Sequence, residues 1–216
     1  MTQFVHIVDD DEAIRDSLRW MMQSRGTPCR LYPSAESFLE AWDATFAGCI
    51  LLDIRMGEMS GNELFDRLIE CGCRLPVIFL TGHGDVPLAV STLKNGAFDF
   101  IEKPFNDNAL VDRVLEALAF DEAQRQAAVS ADSVRHRLAQ LTSRENQVMA
   151  RILAGKLNKV IADELCVSMR TVEEHRASLF RKMGVRTAVQ LAQVVGPEMP
   201  LPGSPQRGIK AWETPA

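Results

Sequence analysis

Over its first 120 residues the chain alternates short apolar runs with amphipathic stretches, and this admits few folds, because strands separated by helices build βα units around a parallel sheet. Five runs carry the β-branched and aromatic residues of buried strands: Phe4 to Val8, Arg30 to Tyr32, Cys49 to Leu52, Val77 to Leu80 and Phe100 to Ile101. Helical stretches are expected near Glu12 to Gln23, Ser34 to Trp42, Asn62 to Cys71, Val86 to Asn95 and Asp107 to Ala119. In the last of these Leu110, Val111, Val114, Leu115 and Leu118 recur at helical spacing.

Beyond this α/β half the strands stop. Residues 119–140 are Ala/Gln/Arg-rich and predict an exposed helical linker, or simply a continuation of the preceding helix. Residues 141–196 read as helical throughout, an all-α second domain, with Gly155 and Gly184 placed for helix ends. The tail 197–216 has five prolines, two glycines and no periodicity, and is expected to be disordered.

Charge divides along the same line. Residues 1–120 carry 10 Lys+Arg against 19 Asp+Glu and the remainder 14 against 10, so the overall −5 is the sum of −9 and +4. An acidic, metal-binding half and a half tolerant of a polyanion are the readings this invites. No run approaches the ~18 apolar residues of a membrane span, and the start lacks a basic region with an apolar signal core, so a cytoplasmic protein with no membrane partner is expected. The cysteines Cys29, Cys49, Cys71, Cys73 and Cys166 are odd in number and scattered, which argues for reduced, mostly buried thiols.

The strand ends carry the chemistry. Phe4 to Val8 runs directly into Asp9, Asp10 and Asp11, and Leu51-Leu52 into Asp53, at the carboxyl edge where open α/β sheets bind ligands. If those strands are neighbours, the carboxylates converge and need a counter-charge, and an all-oxygen site of few carboxylates suits Mg²⁺. Two other strands end in Thr81 and in Glu102-Lys103-Pro104, supplying a hydroxyl and an ammonium of the kind that phosphoryl oxygens require. Singly, these are an N-cap, a turn residue and a loop lysine. Together they describe a carboxylate nucleophile equipped for phosphoryl transfer.

Val8-Asp9-Asp10-Asp11, Leu52-Asp53-Ile54-Arg55-Met56, Leu80-Thr81-Gly82 and Ile101-Glu102-Lys103-Pro104-Phe105 resemble the signature of bacterial response-regulator receiver domains over residues 3–118. The resemblance implies a flavodoxin-like five-stranded sheet of order 2-1-3-4-5 and phosphorylation of Asp53 by a sensor histidine kinase. It also implies Mg²⁺ on Asp10, Asp53 and the Arg55 backbone carbonyl, with Asp9 acting through water and Thr81 and Lys103 holding the phosphoryl oxygens. The family's switch maps to Thr81 and Phe100, which would repack the face formed by the helix near Val86 to Asn95, the strand Phe100-Ile101 and the helix from Asp107. Gly57 departs from the proline usual there, and a changed loop mobility or phosphoryl lifetime is expected from it.

In the second half, Thr142-Ser143-Arg144-Glu145 has the spacing of a capping box, and Val148, Met149, Ile152 and Leu153 form a buried stripe. Asn158 to Leu165, a tight turn at Cys166-Val167 and a helix capped by Ser168 through Met183 fit a helix-turn-helix. Periodicity alone leaves a plain helical bundle equally open. The cluster Lys156, Lys159, Arg170, Arg176, Arg181, Lys182 and Arg186 favours double-stranded DNA. Leu141 to Glu145, Asn158 to Ala162 and Arg170 to Arg176 also resemble the LuxR-type effector domain. The whole chain is thus similar to the NarL/FixJ family of response regulators, most of all its FixJ-like branch.

That resemblance implies backbone contacts from Lys159, Thr171, His175 and Arg176, base-facing Glu173, Glu174 and Ala177, and a homodimer formed on phosphorylation through the helix Thr187 to Val195. RNA polymerase is a further expected partner at a promoter. An aspartate-nucleophile phosphohydrolase is the competing enzymatic reading, but it calls for a substrate cap and an acid two residues after Asp53, where Arg55 stands. A phosphorylation-independent DNA binder is the other, with Gly57 its only support. The chain is therefore expected to be no enzyme beyond slow autodephosphorylation.

Overall fold

The computed structural model describes residues 2–82 and 92–196. Most of the helix expected near Val86 to Asn95, and the whole tail 197–216, lie outside these residues. The chain divides into two compact units, Met1–Arg125 and Gln126–Ala216.

The first unit is a parallel sheet of β1 (Phe4–Val8), β2 (Cys29–Tyr32), β3 (Gly48–Asp53), β4 (Val77–Thr81) and β5 (Asp99–Glu102) in the order β2-β1-β3-β4-β5. The helices α1 (Glu12–Ser24), α2 (Ala35–Ala41) and α3 (Gly61–Glu70) alternate with the strands, and α4 (Asp107–Ala139) follows β5. The alternating directions of strand side chains divide the core in two. Val8, Ile50, Leu52 and Phe79 pack on one face with Phe38, Leu64 and Phe65, while Val5, Ile7, Leu51, Ile78 and Leu80 pack on the other with Leu18, Met22, Leu110 and Val114. A fully buried side chain of this size contributes about 1.5–3 kcal/mol, so the helices are held chiefly by these contacts.

His6 joins the first face fully buried, its ring stacked 4.7 Å from Phe46 and its Nδ1 3.2 Å from the Tyr32 hydroxyl, while Nε2 has no partner. Of the five cysteines only Cys49 is buried; Cys29 and Cys73 are half-buried and Cys71 and Cys166 exposed, which corrects the expectation of mostly buried thiols. Cys71 and Cys166 sit at helix C-caps, where the chain turns outward.

The helix begun at Asp107 does not stop near Ala119 but runs unbroken for 33 residues to Ala139. Its first part packs into the sheet through Leu110, Val111, Val114 and Ala117, and near its end Val134 and Leu138 belong to the core of the second unit. That unit adds α5 (Ser143–Leu153), α6 (Asn158–Leu165), α7 (Met169–Met183) and α8 (Ala188–Val195) around Val148, Ile152, Ile161, Val172, Leu179 and Leu191. Among the described residues no helix is long and apolar enough to cross a membrane.

Candidate functional site

Strands β1 and β3 are hydrogen-bonded neighbours with Val8 paired to Leu52, so the residues that follow, Asp9 and Asp53, meet at one sheet edge. Both are buried, at 1% and 7% exposure. Lys103, delivered by the end of β5, places its ammonium 2.9 Å from Asp9 and 2.6 Å from Asp53. The other Asp53 oxygen accepts the Arg55 backbone N–H at 2.8 Å. Thr81, at the end of β4 and 3% exposed, accepts the Lys103 backbone N–H through its carbonyl at 2.7 Å, which ties those two strand ends together. Asp10 is exposed beside the pair, and Asp11 caps α1 by accepting from the Ala13 and Ile14 amides.

One cation therefore serves two buried anions. Burial pushes the Asp53 carboxyl up and the Asp9 charge adds to it, against the opposing pull of Lys103 and the Arg55 amide. Burial alone would lower Lys103, yet its bonds to both carboxylates outweigh this and hold the ammonium above its ordinary range. The two directions are consistent, since the lysine gains two partners while each aspartate gains only a shared one. Among the described residues no three His, Cys, Asp or Glu side chains close on one point. A cation here would rest on few carboxylates, a backbone carbonyl and water, a donor set that fits Mg²⁺.

Two contributors had no signal in the sequence. Arg15 of α1 donates to the Asp9 backbone carbonyl at 2.7 Å. Gly61, the first residue of α3, packs so tightly under the site that a Cβ there would stand 2.1 Å from the Asp53 carbonyl oxygen. By contrast Gly57 has open space around it and no left-handed φ, so nothing steric requires glycine there. Phe100 of β5 is half-buried beside Phe79 of β4, against the first face of the core.

In the second unit α6, a turn at Cys166 in the left-handed region (φ 54°) and α7 follow one another as a helix-turn-helix sequence predicts, with Ser168 capping α7 through the Thr171 amide. The expected DNA-contacting residues divide into two groups. Lys159, Arg170, Glu173, Glu174, Ala177 and Arg181 are exposed, with Arg170 and Glu174 paired at 3.3 Å. Thr171, His175, Arg176 and Lys182 are half-buried. Arg176 donates to Asn158 at 3.0 Å and covers the Phe180 ring, and Lys182 donates to the buried Glu145 at 2.7 Å. Burial opposes ionisation of Glu145, but the Lys182 ammonium and the Thr142 capping bonds bring its carboxyl down to about 2.

Comparison with known proteins agrees with both units. The family described as response regulator receiver domain matches residues 5–115, and that of bacterial regulatory proteins, luxR family, matches residues 139–195. The C4-dicarboxylate transport transcriptional regulatory protein DctR of Rhodobacter capsulatus is 48% identical over 90% of this chain and all of that protein. The transcriptional regulatory protein FixJ of Rhizobium meliloti is 41% identical over 90% of this chain and 96% of its own length. Among solved structures the response regulator StyR superposes with a TM-score of 0.83 at 36% identity, covering 91% of this chain and all of that one. Full-length FixJ from B. japonicum gives 0.59 at 38% identity, covering 91% and 98%. With a receiver domain, a LuxR-type DNA-binding domain and such relatives along almost its whole length, the chain belongs to the two-component response regulators that regulate transcription, and is no classical enzyme.

Proposed function

We propose that Asp53 is the phosphoryl acceptor of this regulator, that a sensor histidine kinase is the donor, and that phosphorylation controls dimerisation and sequence-specific binding to promoter DNA. The observation carrying the proposal is the single ammonium of Lys103 shared between Asp9 and Asp53 at 2.9 and 2.6 Å. It is a charge pattern short of positive charge and open to a divalent ion and a phosphoryl group.

In the reaction an Asp53 carboxylate oxygen attacks phosphorus while the bond from phosphorus to the donor's imidazole nitrogen breaks, and the imidazole leaves. Asp10, Asp53 and the Arg55 carbonyl are the residues that would hold Mg²⁺, with Asp9 acting through water. When bound, the ion offsets the negative charge shared by the carboxylates and the incoming phosphoryl oxygens. Lys103 exchanges its bond to Asp53 for one to a phosphoryl oxygen, and the Thr81 hydroxyl donates to another. Movement of Thr81 would open the space into which Phe100 turns, carrying the change to the surface of β5. Loss of the phosphoryl group is slow self-hydrolysis, since Arg55 stands where a catalytic acid would be needed.

On DNA, Lys159, Thr171, His175 and Arg176 are assigned to the backbone, with Arg170, Arg181 and Lys182 adding positive charge, and Glu173, Glu174 and Ala177 to base edges. The α8 helix pairs two protomers, RNA polymerase is the next partner at the promoter, and the cytoplasm is the compartment. The test is incubation with a small-molecule phosphodonor and Mg²⁺, read by intact mass and then by DNA affinity. Wild type should gain one phosphoryl group and bind its promoter more tightly. Equal uptake by Asp53→Asn, or equal DNA affinity with and without donor, would defeat the proposal.

A further inference from the structure

At the amino-terminal edge of the sheet, away from the strand ends that carry Asp53, lies a cavity of about 300 Å³. That is the lower end of the range for small-molecule sites. Trp42 and Phe46 give it an apolar wall, Cys71 and Cys73 two thiols, and Arg74 and Arg125 two guanidinium groups.

Its two carboxylates are already engaged. A single oxygen of Asp121 accepts from Gln3, Gly48 and Arg125 at 3.0, 2.8 and 2.9 Å. Asp43 accepts from the Thr45 amide at 2.6 Å and from its hydroxyl. The donors are not all used: Arg125 spends one terminal nitrogen on Asp121, but its Nε is buried without a partner. A buried donor left unpaired is destabilising, so the cavity favours a ligand that brings an acceptor.

The thiols differ. Cys71 is exposed at the C-cap of α3, Gly72 turns the chain with φ +73°, and Cys73 is half-buried, its thiol pushed up by burial. Cys71 stands at the C-terminal end of α3, and the selectivity at this thiol comes from binding in the cavity.

We propose that this cavity is a thiol–disulfide exchange site, at which Cys71 takes up one half of a small carboxylate-bearing disulfide held by Arg74 and Arg125. Cys71 loses its proton to solvent and its sulfur attacks one sulfur of the disulfide. A new S–S bond forms as the old one breaks, and the departing thiolate takes up a proton. Cys71 is oxidised and the leaving half reduced, so the disulfide is itself the oxidant.

The full chain provides its own control, because Cys166 is also exposed but stands beside Asp163 and Glu164. The experiment incubates full-length protein with glutathione disulfide or with the neutral bis(2-hydroxyethyl) disulfide, and measures adduct formation at each cysteine by mass spectrometry and peptide mapping. With glutathione disulfide Cys71 should react about tenfold faster than Cys166, equivalent to about 1.4 kcal/mol of selective binding, and its rate should saturate with concentration. With the neutral disulfide that preference should collapse. Arg74→Ala, at an exposed position, should lower the glutathione rate at Cys71 and leave the neutral rate unchanged, and Cys71→Ser should remove the fast adduct. A rate at Cys166 equal to that at Cys71, the same preference for both disulfides, a rate linear in concentration, or an Arg74→Ala variant indistinguishable from wild type would each overturn the assignment.

Discussion

The ammonium of Lys103 is divided between Asp53, at 2.6 Å, and Asp9, at 2.9 Å, so each buried carboxylate has only a share of a counter-charge. Because burial raises the Asp53 carboxyl in the folded state, its ionised form is a cost to folding that is absent below the ordinary carboxylate range and grows as pH rises through the folded value. Asp53→Asn is therefore expected to raise unfolding stability at pH 7 by on the order of 1 kcal/mol while removing phosphoryl uptake. Urea unfolding at neutral pH checks the first expectation, and a midpoint below that of wild type would contradict it.

His6 has the opposite pH signature to a salt-bridged histidine. Burial first, and then the Arg30 charge, bring it from 6.5 down to about 4. The unfolded chain thus binds the proton first as pH falls. Receiver stability should be unaffected by this residue above pH 6.5 and decline between there and about pH 4, by about 3 kcal/mol at most. His6→Phe should flatten that limb when unfolding is followed across the same range.

Gly61 packs against the backbone of Asp53 without taking part in the chemistry proposed there. A Cβ at 2.1 Å from the Asp53 carbonyl oxygen forces backbone to move, so Gly61→Ala should destabilise the receiver by about 2–4 kcal/mol and slow phosphoryl uptake at Asp53. Uptake at the wild-type rate by the folded variant would show that the close approach does not position Asp53.

The two lysines of the DNA-binding unit should separate cleanly. Lys159 is exposed, so Lys159→Ala should weaken DNA binding across sequences and reduce the salt dependence by about one phosphate contact. Lys182 is paired with Glu145, which is only 3% exposed, so Lys182→Met should, besides removing one positive charge from the DNA-facing side, lower the melting temperature of the unit, through a loss of about 3 kcal/mol typical of a broken buried pair. Filter binding at several salt concentrations together with thermal melts distinguishes them.

Strand ends and caps were legible in the sequence because they are local. Val8 followed by Asp9, Leu52 by Asp53 and Thr142 spaced from Glu145 each announce their geometry within a few residues, and the observed sheet order brings the acidic pair together. Long-range partners were not. The Glu145 carboxylate that completes the cap also meets Lys182, 37 residues away, and the approach of Gly61 to Asp53 depends on how α3 seats. The same limit explains the thiols, since burial of a cysteine depends on which side of a helix end it leaves. The continued helix from Asp107 to Ala139 was one of the two readings that residues 119–140 allowed, since their apolar periodicity fades but nothing in them breaks a helix.

Asp121 gives the receiver unit a clasp. One oxygen gathers the side chain of Gln3 from the start of the chain, the buried Gly48 N–H at the head of β3, and Arg125 a turn further along α4. A fragment trimmed at 118, where the sheet-packing pattern fades, would strand the Gly48 amide without an acceptor and leave Gln3 only its bond to the Leu118 carbonyl, whereas one ending at 125 keeps the knot closed. The shortest independently folding receiver should therefore extend past its last apolar contact, to the residue that fastens its own beginning.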